Sequence, residues 1–211
     1  MKIRYILSSV ALVSLSLTSC SDLDTAPEGN IITSDKKGEI LEEMPERGLA
    51  GVRAIFQGLS AYEPNNEAFG KIERHNDIGY PSVLMFTDAN TEDVVSDPNG
   101  YNWNGNSLDY SDRTYTSYES QMVWNDHYNA IYVANTVIKG YNTGEDPTNE
   151  EARFFYAQGL AARAYFYFNL AQLYQFTYKD NETKPCIPVV TDENTAKSQV
   201  EGTPCSTVEE T

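Results

Sequence analysis

Apolar positions recur with a helical period over two long stretches of this chain. From Thr116 to Gly144, the residues Trp124, Tyr128, Ile131, Asn135 and Ile138 step by four, three, four and three, which predicts one stripe of an amphipathic helix ending at Gly140 or at the Gly144 turn. From Asp146 to Tyr178, Ala157, Ala161, Ala164, Phe168 and Ala171 form a row of mostly small residues beside a larger row of Leu160, Tyr167, Leu170 and Tyr174. Thr116 with Glu119, and Thr148 with Glu151, have capping-box spacing, so each threonine is expected to open its helix. The second helix is apolar around most of its circumference, which predicts burial between neighbours, with the small row and Gly159 at a close helix crossing. A short polar turn between the two makes an antiparallel hairpin. Neither helix hides its apolar face alone, so the pattern predicts an all-α, tetratricopeptide-like repeat with long loops, on which further helix pairs stack.

Upstream, Glu39 to Tyr62 reads as a first helix, bent or restarted at Pro45, with Leu49, Val52, Phe56 and Leu59 on one face. The run from Ile78 to Phe86 is too brief for periodicity to separate a short strand from a helical turn. Asp97-Pro98-Asn99-Gly100 is a strong turn signal, and Ser96 to Tyr115 is read as a long loop; loops of this length usually bind something or are disordered. Pro204 to Thr211 reads as the start of a helix, with serine and threonine caps and acidic first-turn residues.

The first residues carry a different signal. Lys2 and Arg4 precede an apolar run from Tyr5 to Leu17, too short for a membrane span, which needs about 20 apolar residues, and right for a secretory signal peptide over 1–19. Leu17-Thr18-Ser19-Cys20 forms a lipobox, so Cys20 is the expected lipidated N-terminus of the mature chain. Residues 20–38, with Pro27, Gly29 and Asn30, then read as a lipid-anchored tether and 39–211 as the helical domain.

Composition narrows the function classes. Loss of Lys2 and Arg4 with the signal takes the formal net charge from −16 to −18, which argues against capture of nucleic acid or an anionic membrane and suits a neutral ligand. Fifteen tyrosines are present, many of them in polar loops where packing is not the reason for an aromatic. The loop around Tyr101, Asn102, Trp103, Asn104 and Asn106 sets flat rings beside amides, the pairing a glycan site needs because sugars present apolar C–H faces ringed by hydroxyls. The same residues equally fit a tryptophan that plugs the loop onto the scaffold. His75, Asn76, Asp77, Asp88, Glu92 and Asp93 could be drawn as a metal cluster or a glycosidase pair, but nothing fixes their separation and turns or solvated faces are the expectation. His127 is expected as a packed, hydrogen-bonded histidine, Arg163 as the partner of a carboxylate or of backbone carbonyls, and Asn135 as a buried side chain bonding a neighbouring loop. There is no phosphate-binding glycine loop, no Cys-x-x-Cys and no nucleophile elbow, so no catalysis, metal or cofactor is expected. With Cys20 lipidated, Cys186 and Cys205 remain as one disulfide or as two unpaired thiols.

Taken in order, W-x-x-x-Y-x-x-I-x-x-A-N-x-x-I (Trp124, Tyr128, Ile131, Ala134, Asn135, Ile138), A-R-A-Y-x-Y-F-x-L-x-x-x-Y (Arg163, Ala164, Tyr165, Phe168, Leu170, Tyr174) and C-I-P-V-V from Cys186 resemble the SusD/RagB family of outer-membrane nutrient-binding lipoproteins. The segment from His75 to Val95 extends the similarity. The acidic Ser21-Asp22-Leu23-Asp24 is similar to the surface-export signal of lipoproteins in the organisms of that family. The resemblance implies a surface lipoprotein on the outer membrane that binds an oligosaccharide and passes it to a SusC-type TonB-dependent transporter. Peptide capture of the RagB kind, a glycan-cleaving lipoprotein and a plain interaction scaffold are the alternatives. It implies a role in the site for Trp103 and, less firmly, Tyr101 and Asn102. It gives no support to a Cys186–Cys205 bridge, because the family more often has Arg at the place of Cys205. Members of the family are much longer, so the sequence reads as an N-terminal portion.

Overall fold

The computed structural model describes residues 34–60, 77–95, 100–142 and 144–211. Residues 1–33, which hold the expected signal peptide, Cys20 and most of the expected tether, lie outside the described residues, as do His75, Asn76 and positions 97–99 of the turn signal. Two units divide the chain, Met1–Lys36 and Lys37–Thr211, and the second holds the core. In chain order the elements are α1 (Ser34–Glu43), a 3-10 turn (Pro45–Gly48), α2 (Leu49–Ser60), α3 (Tyr80–Ala89), α4 (Gly105–Leu108), α5 (Tyr118–Tyr141), α6 (Glu150–Tyr174), β1 (Pro185–Pro188), α7 (Thr195–Glu201) and β2 (Cys205–Thr207). The restart at Pro45 is as expected: proline lacks the N–H that would continue α1 and instead opens the 3-10 turn. Helix α1 begins at Ser34, inside the stretch read as tether, and the run from Ile78 to Phe86 belongs to helix α3.

Helices α5 and α6 form the expected antiparallel hairpin. Trp124 meets Tyr174, Tyr128 meets Tyr167 and Tyr141 meets Phe155, so positions rise on one helix as they fall on the other. Ile131, Ala134, Asn135 and Ile138 of the α5 stripe are buried, and α5 also turns Met122, Val123, His127 and Val137 inward. It is α5, packed against α2, α3 and α6, that is buried on most sides. Val52 and Ile55 are the buried pair on α2; Phe56, expected beside them, is exposed.

Helix α6 corrects the sequence reading of its faces. Its buried row is Ala152, Phe155, Gly159, Ala162, Phe166, Tyr167 and Leu170. Ala157, Ala161, Ala164 and Phe168, expected at the crossing, point outward instead. Of the expected small positions only Gly159 sits at the contact, where an added Cβ would lie 3.0 Å from Ile138 Cγ1 and 3.4 Å from Val137 Cγ1. A helix apolar on all sides gives no preferred direction. The lack of a side chain at Gly159, flanked by Phe155 and Ala162 on the same face, is what lets α5 approach there.

Both expected caps are displaced by one residue. Ser117, not Thr116, accepts the N–H of Ser120 at 3.1 Å, because Glu119 is buried and takes the amide of Asn106 at 2.9 Å rather than reaching back. Asn149, not Thr148, caps α6 by accepting from Glu151 N and Ala152 N at 2.9 and 3.3 Å. Thr148 is engaged elsewhere: its N–H and hydroxyl, with the N–H of Asn149, all donate to Glu42 Oε1 of α1. Those bonds, the Thr148 hydroxyl first, hold the Glu42 carboxyl below the usual glutamate range.

Past α6 the chain is not wholly helical. Pro185–Pro188 pairs antiparallel with Cys205–Thr207, with Pro185 opposite Thr207, Pro188 opposite Cys205 and an irregularity between them. Cys205 to Thr207 is thus a strand where a helix start was expected; the neighbouring β1 supplies main-chain partners that local caps cannot outbid.

Candidate functional site

The loop after α3 is built around small and left-handed residues. Gly100 has φ +84°, Asn102 φ +45° and Tyr110 φ +57°. Asn102 tolerates that region through its short polar side chain. Its amide sits over Gly105, where an added Cβ would lie 2.3 Å from Asn102 Nδ2, so Asn102 and Gly105 together set the bend that starts α4. Asn104 is the residue before α4, its carbonyl accepting the N–H of Leu108 at 3.0 Å. Asn106 ties the loop to α5 through Glu119.

On this bend the rings of Tyr101 and Trp103 stack on one another, centroids 5.7 Å apart and planes 28° apart. Tyr101 is 85% and Trp103 50% exposed. A tryptophan plugged into a scaffold loses most of its surface, and this one keeps half. The structure therefore brings Tyr101 and Trp103 together as an exposed aromatic surface, with Asn102, also exposed, between them at the left-handed bend.

A larger concavity, of about 1110 Å³, opens between the end of α3, the 112–117 segment, the start of α5 and the end of α6. Its aromatic lining comes from Phe86, Tyr115, Trp124, Tyr174 and Phe176, and its amides from Asn90, Gln121 and Gln172. Asn90 organises one wall: its Nδ2 donates to Asp112 Oδ2 at 3.0 Å and to Phe86 O at 3.0 Å, and its Oδ1 accepts from Arg113 Nε at 3.3 Å. The Arg113 guanidinium lies 4.0 Å over the Tyr110 ring. On the opposite wall Tyr174 donates its hydroxyl proton to Ser120 O and meets Trp124 edge-on at 5.2 Å. Sequence reading missed this cleft. Trp124 and Tyr174 read as core stripe, and Asn90 and Arg113, 23 positions apart, share no spacing signal.

The remaining polar candidates are structural. Arg163 donates to Asp192 Oδ1 at 2.8 Å and to Asn135 Oδ1 at 2.9 Å, and Asn135 Nδ2 donates to Val190 O at 2.9 Å, as the sequence suggested for both residues. Tyr167 completes the clasp, donating to Val190 O and accepting from Val190 N, both at 2.6 Å. His127 is fully buried against Phe166, with Nδ1 3.0 Å from Val123 O; burial pushes its pKa down to about 4. Beside it, Asp126 is pushed up to about 7, by burial first and then by the charge of Asp77. Asp88, Glu92 and Asp93 are exposed. Among the described residues no three His, Cys, Asp or Glu side chains are grouped to hold a metal. Cys186 and Cys205 stand as free thiols on the two paired strands.

Among the described residues, no helix is long and apolar enough to cross a membrane. No curated protein sequence matches the chain. Residues 77–211 match the family SusD-like_3, described as "Starch-binding associating with outer membrane", whose members are binding proteins rather than enzymes. That match covers α3 to β2, the helical hairpin, the aromatic loop and the cleft together, and the helical architecture agrees with it. The chain belongs to the SusD-like family.

Proposed function

We propose that this protein is a surface lipoprotein, anchored through Cys20 after removal of residues 1–19, that binds a neutral oligosaccharide and delivers it to a SusC-type TonB-dependent transporter. Family membership supports the carbohydrate ligand and the association with an outer-membrane SusC-type system. The lipobox at Cys20 and the acidic residues after it support the anchor and the outward orientation. The observation that carries the binding role is the Tyr101–Trp103 stack, large aromatic area held in water by a loop whose bends are fixed beneath it. A pyranose C–H face covering that surface is desolvated against the rings while its hydroxyls stay at the polar rim offered by Asn104. The net charge of the mature chain, −18 after loss of Lys2 and Arg4 from the −16 of the full sequence, adds no attraction for an anionic ligand.

The test is Trp103→Ala, titrated against a panel of neutral oligosaccharides. With base–aromatic stacking as the nearest measured analogue, the lost face is worth about 1–3 kcal/mol, a fall of roughly fivefold to more than a hundredfold in affinity. The melting temperature is expected to stay near that of wild type, because half of the ring is already in water. Unchanged affinity for every glycan that binds the wild type would remove the platform. A large fall in melting temperature would show a plug instead.

A further inference from the structure

We infer that the cleft between α3, α5 and the end of α6 is a second binding site for a neutral oligosaccharide, separate from the Tyr101–Trp103 stack. The inference rests on the carbohydrate-binding reading above and extends it to residues that reading does not use. At about 1110 Å³ the cleft is at the upper end of the size of small-molecule sites, room for several sugar rings rather than one.

Charge sets the ligand class first. Among the described lining residues Arg113 is the sole cation, and its guanidinium is engaged by Asn90 and by the face of Tyr110. Asp112, the acid beside it, is 1% exposed. With one cation and no exposed acid among the described lining residues, most polar groups of the wall are neutral amides and hydroxyls, which favours a neutral ligand. Shape and chemistry narrow it further. Phe86 and Phe176 give ring surface, and Gln121 and Gln172 give exposed amides that both donate and accept. Hydroxyl groups, which also donate and accept, are their natural partners. A peptide would instead ask for an open strand edge or deep side-chain pockets, and this rim is made of side-chain amides and threonine hydroxyls.

The experiment titrates the full chain with malto-, cello-, xylo- and manno-hexaose, and with a mixed-sequence hexapeptide pool as a competing class. It reads stoichiometry and Kd by calorimetry, and the side-chain amide signals of Gln121 and Gln172 by NMR. The expected result is that at least one hexaose moves those amide signals and binds with two sites. Gln121→Ala/Gln172→Ala is expected to weaken the second site at least tenfold and leave the site lost in Trp103→Ala intact. Both glutamines are exposed, so the variant is expected to fold, and the NMR shifts on the wild type decide the matter if it does not. One site, abolished by Trp103→Ala with the glutamine signals unmoved, overturns the cleft and leaves the platform standing. Cleft binding unaffected by Trp103→Ala with no second site supports the cleft and removes the platform. Displacement of the glutamine signals by the peptide pool alone overturns the ligand class, and no binding by any hexaose overturns both sites.

Discussion

Leucine substituted at two positions of one helix, Gly159 and Ala164, measures which side of α6 is the working face. At Gly159 even one added carbon would stand 3.0 Å from Ile138 Cγ1, 3.4 Å from Val137 Cγ1 and 3.6 Å from Ala134 O. Leucine places three more carbons beyond that point, and the facing residues Ile138 and Ala134 are themselves buried, with no free volume behind them. Replacing glycine in a helix interior returns about 1 kcal/mol of propensity. Overpacking a tight crossing costs about 1–3 kcal/mol and occasionally more; with a branched four-carbon side chain against a helix the upper end applies. The net expectation for Gly159→Leu is a loss of about 2 kcal/mol, a fall of about 4–8 °C in melting temperature for a domain of this size. Ala164 faces outward, so Ala164→Leu is expected to stay within about 0.5 kcal/mol of wild type. Urea unfolding followed by circular dichroism, with the m-value checked for constancy, measures both. Equal destabilisation by the two variants, or a Gly159→Leu protein as stable as wild type, would refute the assignment of faces.

Two further perturbations test the polar interior. Tyr167→Phe removes the hydroxyl that both donates to and accepts from Val190, and is expected to cost about 1–3 kcal/mol; the Val190 amide should then exchange faster with solvent, and unchanged protection would show that the clasp does not hold this segment. The pair Asp126 and His127, 3.5 Å apart, predicts a masked pH dependence. His127 is lowered from 6.5 to about 4, so the unfolded chain binds the extra proton between those values and stability falls as pH falls through them. Asp126 is raised from 3.8 to about 7, so the folded chain binds the extra proton and stability falls as pH rises through that window. The two slopes oppose each other between about pH 4 and 6.5. Asp126→Asn is expected to expose the histidine slope, a loss on the order of 2 kcal/mol between pH 7 and pH 5 that the wild type does not show; equal pH profiles for the two proteins would count against buried, neutral His127.

What the chain settles by itself is where its long helices lie and which polar groups go inside. Trp124 to Ile138 steps at helical spacing and has Asn135 in an otherwise apolar row, so a single direction satisfies it, and the structure buries Ile131, Asn135 and Ile138. Arg163 within an alanine-rich helix was expected to need a carboxylate or backbone-carbonyl partner; which one was decided by the fold, where Asp192, 29 positions on, supplies it. Composition left the aromatic loop open between a platform and a plug, and the structure leaves half of Trp103 in water. Other features depended on contacts distant in sequence. A helix apolar on every side does not select a face, so the direction of α6 was fixed by the fit of Gly159 against Ile138. Capping-box spacing names a local partner, but Glu42 lies 106 residues from Thr148 and took that threonine's bonds, leaving the cap to Asn149. The cleft needed Asn90, Arg113, Trp124 and Tyr174 to meet from four separate segments. Periodicity records how a helix divides its own faces; it carries no term for the neighbour that will use them, and only packing supplies that neighbour.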